Sequence, residues 1–268
     1  MDRLRFQSFA SGSSGNCYFI GNASQGILID AGIGVRTIRR NLRAIGLDFH
    51  NLWGIFVTHD HADHIRGIGS LGEIHHVPVY TTRKVHEGID RCYCVTEKLK
   101  TSRRYLEKFE SIEVGGFKIH SFPVSHDASD SVGYTVEYAG KRFTFATDLG
   151  HVCESAASEL QRANYMVFEA NYDPQMLMNG PYPADLKRRI KSDTGHLSNE
   201  QAGDFLANIY GNQLQYIFLC HLSKENNHPD VAYTTVRNYL ENKSVKVGED
   251  VQLITLDRFN PTELFVFD

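Results

Sequence analysis

The run "LWGIFVTHDHADHIRG" (52–67) constrains this chain more than any other stretch. Its apolar beginning is short enough for a buried strand, and it ends directly on a polar loop. Within six residues that loop presents His59, His61, Asp63 and His64. A loop leaving a strand end can point several side chains at one place. Neutral imidazole nitrogens and carboxylate oxygens there are good ligands for zinc or manganese. His126 in "FPVSHD", Asp148 in "FTFATDLG" and His221 in "IFLCHLS" also stand at predicted strand ends. Together, five histidines and two aspartates are enough ligands for two divalent ions sharing one carboxylate.

The rest of the pattern fits two sheets. Short strands with turn signals are predicted around 4–9, 17–21, 26–32, 77–80, 109–114, 117–124, 131–138 and 142–148. One helix is predicted over 35–46, where Val35, Ile38, Leu42 and Ile45 share a face. Gly115–Gly116 and Ala139–Gly140 lie between paired runs and read as hairpin turns. From 152 onward helices (152–163, near 184–191, 198–210 and 229–241) alternate with strands (165–171, 214–220, 250–256 and 263–267). Two sheet-rich halves flanked by helices predict an α/β chain, an αββα sandwich of four layers forming one domain over 1–268.

No apolar run approaches the roughly 18 residues needed to cross a membrane. The opening "MDRLRFQSFASG" lacks the apolar centre of a signal peptide. Five cysteines without CxxC spacing fit reduced thiols. The expectation is a cytoplasmic protein with no membrane partner. The formal charge of −4 gives by itself no sign of nucleic-acid binding.

"THDHADH" is similar to the HxHxDH signature of the metallo-β-lactamase fold superfamily, and His126, Asp148 and His221 match its later ligand motifs in order. The resemblance implies one ion held by His59, His61 and His126, a second by Asp63, His64 and His221, and Asp148 bridging them. Asp30, closing "GILID", matches the early aspartate that supports the metal loop by hydrogen bonding. Two such ions, manganese or zinc, would acidify a bridging water into an attacking hydroxide and neutralise charge in an in-line displacement. The stretch between Asp148 and His221 is too short for a β-CASP insertion.

"ASGSSGNCYFI", "SHDASDSVGY", "FEANYD", "GHLSNEQA" and "CHLSKENNHP" together resemble the WalJ/YycJ-type proteins, small bacterial enzymes regarded as DNA exonucleases. That resemblance implies metal-dependent phosphodiester cleavage, with DNA preferred over RNA and 5′→3′ removal from an end. The alternative on the same fold is a thioester or lactone hydrolase of glyoxalase II type. In the nuclease branch a glutamate on the strand after the bridging aspartate supports a histidine that protonates the leaving oxygen. Glu169 and His196 match those two positions. Ser198 and Gln201 have capping-box spacing, which would start a helix just beyond His196.

Substrate contacts are read from residues alone. "SGSSGN" is either a flexible hairpin loop or a phosphate grip, with Ser13, Ser14 and Asn16 as its polar groups. The basic runs 98–108, with Arg103 and Arg104, and 185–191, with Arg188, are either solvated helix faces or a track for a phosphate backbone. Asn226, close in sequence to His221, is a further candidate.

Overall fold

The computed structural model describes residues 3–267; residues 1, 2 and 268, at the ends of the expected domain, lie outside the described residues. The first half of the chain lays down β1 (Leu4–Ala10), β2 (Cys17–Gly21), β3 (Gly26–Ile29), β4 (Leu52–Phe56), β5 (Val79–Thr81) and β6 (Arg103–Tyr105), side by side in that order. A second sheet holds β7 (Ser111–Val114), β8 (Phe117–Pro123), β9 (Val132–Tyr138), β10 (Lys141–Ala146), β11 (Tyr165–Glu169), β12 (Tyr216–Cys220) and β13 (Gln252–Thr255). β14 (Phe265–Phe267) returns to the first sheet beside β1. Both sheets are mixed: pairing is parallel from β3 to β6 and from β10 to β13, and antiparallel elsewhere.

The helices are α1 (Val35–Ala44), α2 (Ala62–Ile65), α3 (Arg83–Arg91), α4 (Glu154–Gln161), α5 (Pro174–Asn179), α6 (Ala184–Ile190), α7 (Asn199–Ile209) and α8 (Pro229–Asn242). The layering follows from two-residue alternation. Along β11, Tyr165 and Val167 join Phe6, Tyr134 and Phe218 between the sheets. Met166 and Phe168 join Leu160, Leu206 and Val236 under the outer helices. On the first sheet, Phe19, Leu28 and Val79 pack with Ile38, Leu42 and Ile89 of α1 and α3. With both faces covered, the central strands are continuously apolar, as buried parallel strands are. The αββα layering is therefore the one the sequence predicts. Cys220 is buried between the sheets, and no described helix is long and apolar enough to cross a membrane.

Both expected hairpin turns place consecutive residues in the left-handed region, Gly115 and Gly116 at φ 59° and 83°, Ala139 and Gly140 at 50° and 79°. Between residues 60 and 110 the structure departs from expectation. It contains α2, a π-helical turn over Ser70–Ile74, α3 and the edge strand β6. α3 offers a short apolar stripe, Val85 and Ile89. β6 is "RRY", a strand only because β5 supplies its hydrogen bonds. The basic run 98–108 is thus loop and edge strand, not a helix face.

The loop ahead of β6 is held by one carboxylate. Glu73 Oε1 accepts hydrogen bonds from Ser102 Oγ (2.6 Å), Lys100 N (2.8 Å) and Thr101 N (3.1 Å). The Ser102 hydroxyl and these backbone N–H groups hold the Glu73 pKa at about 2, against 4.5 for the free side chain. A lowered pKa gives stability that is present above pH 4.5 and is lost as pH falls towards 2. Glu73→Gln is therefore expected to flatten the acid limb of the thermal-stability curve in that window. An unchanged pH profile would show that the loop does not depend on the carboxylate's charge.

Candidate metal centre

Strand ends from both sheets meet at one rim. Asp30 follows β3, His59 lies just beyond β4, His126 beyond β8 and Asp148 beyond β10; Glu169 closes β11 and His221 follows β12. Asp30, Asp148 and His221 turn into left-handed backbone, at φ 57°, 56° and 55°. Non-glycine residues seldom adopt that conformation, and a cluster of them is typical of sites whose surroundings enforce it.

Most of the ring nitrogens are sorted by their partners. His64 Nδ1 donates to Asp30 Oδ2 at 2.7 Å, and Asp30 in turn accepts from Thr58 N and Thr58 Oγ1, both at 2.8 Å. His126 Nδ1 donates to the Gly195 carbonyl at 3.0 Å, and His61 Nε2 to the Asp127 carbonyl at 3.2 Å. His59 Nδ1 lies 3.1 Å from Thr58 Oγ1. In each of these rings one nitrogen is thereby occupied, which sets the tautomer; the other faces the cluster, where Asn16 Nδ2 lies 2.9 Å from His64 Nε2 and His126 Nε2 lies 3.3 Å from His61 Nδ1.

Two groups result, His59 with His61 and His126, and Asp63 with His64 and His221; a third, His59 with His64 and Asp148, links them. Within each group the donor atoms lie within 4.8 Å of one another. Asp148 stands between, with Oδ2 3.1 Å from His64 Nε2 and Oδ1 2.9 Å from His221 Nδ1. Asp63 Oδ2 is 3.5 Å from His221 Nε2.

These residues fit divalent cations. His59 Nε2 and His221 Nε2 are buried with no hydrogen-bond partner among the described residues. Buried polar atoms are rarely left so, and a cation satisfies a lone pair of this kind. Burial alone would lower the pKa of His64 and His221; the carboxylates beside them, Asp30 and Asp148 for His64 and Asp148 for His221, outweigh it and hold both well above the usual imidazole value. Asp148 is held well below the usual carboxylate range: burial opposes this, but His221 and His64 prevail. His59 is held well below the usual imidazole value by burial and by neighbouring His64.

Beside this cluster, His196 Nδ1 donates to Glu169 Oε1 at 2.7 Å and lies 3.7 Å from Asp148 Oδ1. Glu169 is fully buried, an arrangement that is costly for a carboxylate without partners. Its Oε2 accepts from Leu149 N at 2.9 Å and Leu197 N at 3.3 Å, and its Oε1 is 3.1 Å from His221 Nδ1. His196 retains 18% side-chain exposure, so it faces solvent while its partner does not. The capping box of α7 is formed: Ser198 Oγ accepts from Gln201 N, and Gln201 Oε1 accepts from Ser198 N. Together with the His196 N–H bond to the Ile190 carbonyl, this fixes the backbone on both sides of the imidazole.

The candidate substrate contacts are placed differently from one another. Ser13 and Ser14 are exposed. Asn16 and Asn226 are wholly buried. Asn16 Nδ2 lies 2.9 Å from His64 Nε2; Asn226 Nδ2 donates to Ser223 Oγ, while its buried Oδ1 has no hydrogen-bond partner among the described residues. Arg103 pairs with Asp90, Arg104 donates to backbone carbonyls, and Arg188 pairs with Asp185.

Several supporting residues escape a reading of the sequence. Thr58 joins Asp30 to His59 and His64. Asn171 Nδ2 donates to the His221 carbonyl at 2.7 Å. Arg189 on α6 clamps the Asp127 carboxylate next to His126. Gly32 lets the metal loop approach: a Cβ there would sit 1.6 Å from the Asp63 carbonyl oxygen. Since that obstacle is backbone, Gly32→Ala is expected to displace Asp63 and His64 and to weaken metal binding about 10–100-fold, as loss of outer support does. Metal titration of the variant checks this, and wild-type affinity would refute the close-approach argument.

Comparison with known proteins gives a consistent picture. Residues 25–218 match the family described as the beta-lactamase superfamily domain. Exodeoxyribonuclease YycJ of Bacillus anthracis is 33% identical over 262 residues, covering 97% of this chain and 98% of that protein. Exodeoxyribonuclease WalJ of Streptococcus pneumoniae is 33% identical over 250 residues, 93% of each. Among solved structures, the metallo-beta-lactamase fold protein YhfI of Bacillus subtilis superposes with a TM-score of 0.69 at 14% identity, covering 97% of this chain and 99% of that one. With its strand-end histidines, its paired mixed sheets and these relatives, the chain belongs to the metallo-β-lactamase superfamily, in the family of YycJ and WalJ.

Proposed function

We propose that this protein is a metal-dependent DNA exonuclease that hydrolyses phosphodiester bonds stepwise, in the 5′→3′ direction. The observation that carries this reading is the Glu169–His196 pair standing beside the carboxylate shared by two histidine groups. In this reading His59, His61 and His126 would hold one divalent ion, Asp63, His64 and His221 would hold another, and Asp148 would serve both. When bound, two such ions, manganese or zinc, supply a hydroxide nucleophile at neutral pH and neutralise charge on the phosphoryl oxygens.

The chain's own residues do the rest. Asp30 and Thr58 hold the His64 and His59 rings, and Gly195 and Asp127 hold His126 and His61. Glu169 Oε1 accepts the Nδ1–H of His196 in a hydrogen bond, and the imidazolium form of that ring carries a second proton, on Nε2, that passes to the leaving oxygen. This device favours a phosphodiester over a thioester. A thiolate leaving group, with a pKa near ~8.5, departs without a proton donor, whereas a sugar alkoxide does not. The names of the two relatives support DNA over RNA. A DNA substrate and five cysteines outside any disulfide support a cytoplasmic setting.

End-labelled single- and double-stranded DNA, RNA and a thioester, each with Mn²⁺ or Zn²⁺, test the reading. A 5′ label is expected to leave at once as a mononucleotide, while a 3′ label gives a progressively shortening strand. Thioester turnover without DNA cleavage would overturn it, and internal cuts would overturn the exonuclease mode.

A further inference from the structure

α5 and α6 form an arm with a small core of its own, Tyr172, Leu177 and Ile190 with Tyr182 and Leu186 against them. One side of the arm is fixed to the metal loop. Arg189 Nη2 donates to Asp127 Oδ1 at 3.1 Å, and the residue before Asp127 is His126. A different side carries Ala184, Lys187, Arg188 and Lys191, at the i, i+3, i+4, i+7 spacing of one helical face. Across from them stands Met178 of α5, 57% exposed. These five residues line an open slot of about 370 Å³.

The slot has apolar walls and a cationic rim. Its walls are the Met178 thioether, the Ala184 methyl and the aliphatic stems of the long side chains, of which Arg188 and Lys191 are exposed. Lys187 Nζ donates to the Met178 and Gly180 carbonyls, both at 2.8 Å. Lys191 Nζ lies 4.0 Å from Met178 Sδ. Arg188 pairs with Asp185 where both are largely exposed. Among the described residues, Asp185 is the one carboxylate paired with these three cations.

We propose that this slot is a binding subsite for one unstacked base of a single DNA strand whose end lies in the metal centre, with the adjoining phosphate held by Lys191 and Arg188. The proposal rests on the nuclease reading above. A nucleotide has flat apolar faces next to an anionic group, which matches apolar walls beneath cations. A base in a duplex is stacked on both faces and cannot enter, so the occupant is single-stranded. The Arg189–Asp127 clamp keeps the slot at a fixed reach from His126.

Steady-state kinetics of the Mn²⁺-loaded enzyme on a dinucleotide and on a longer single strand test this. In the wild type, KM is expected to fall as the strand becomes long enough to fill the slot. In Lys191→Glu and Met178→Asp, KM for the longer strand should rise about tenfold with kcat unchanged, and in Lys191→Glu the salt slope of log KM should also drop by about 0.7 for one lost phosphate contact. Ala184→Trp, which fills the slot from an exposed position, should raise KM without changing the salt slope. If all three variants keep the wild-type length dependence while the wild type degrades DNA, the slot assignment is wrong and the nuclease reading stands. A wild type that cleaves neither substrate would overturn both.

Discussion

Asp148→Ala is expected to abolish nuclease activity, with a loss of about 10³-fold or more, while the sandwich still folds. Among the described residues, Asp148 is the one carboxylate within 3.1 Å of both His64 and His221. Removing it separates the two histidine groups and takes away the charge that serves both. Several kcal/mol of transition-state stabilisation go with such a site, and each 1.36 kcal/mol is about tenfold in rate. The fold should persist because Asp148 lies beyond β10, outside the aromatic layer between the sheets. Metal content, far-UV circular dichroism and DNA cleavage measured on one preparation decide the matter. A folded Asp148→Ala protein with near-normal metal-dependent cleavage would refute the assignment. His61→Ala should behave similarly, through loss of the first group.

His196→Ala should be the cleaner catalytic lesion. A positioned proton donor contributes typically ~10²–10⁴-fold, so kcat should fall by that factor while DNA affinity and metal content hold. Glu169 behaves differently, because its Oε1 reaches both His196 and His221. Glu169→Gln should therefore lower metal affinity as well as kcat. A substrate with a nitrophenolate leaving group needs little protonation and should recover most of the loss in His196→Ala but not in Glu169→Gln. Equal losses of kcat and DNA affinity in His196→Ala would count against a proton donor.

Local patterns were legible wherever neighbours in the chain are neighbours in space. "THDHADH" places four ligand-type side chains within six residues, although the short helix α2 inside that segment was not legible. "YMVF" of β11 and the Ser198–Gln201 cap were readable because strand alternation and helix capping involve residues only a few positions apart. The short apolar stripe of α3 and the all-polar β6 were not, since their structure depends on partners distant in sequence. Asn16 and Asn226 stand out in the sequence because each lies near a loop or a histidine, but that both are buried is not visible there.

What the sequence by itself determined was the inventory: every strand but β6, most of the helices, and the histidines and carboxylates standing at strand ends. Only the tertiary structure decided which of them meet. Asp30, Asp148 and His221 converge because three strand ends turn into left-handed backbone at one rim. The ring tautomers are set by acceptors elsewhere in the chain, such as Gly195 for His126 and Asp127 for His61. Hydrogen bonds act over about 3 Å, and chain separation does not reveal which groups come that close.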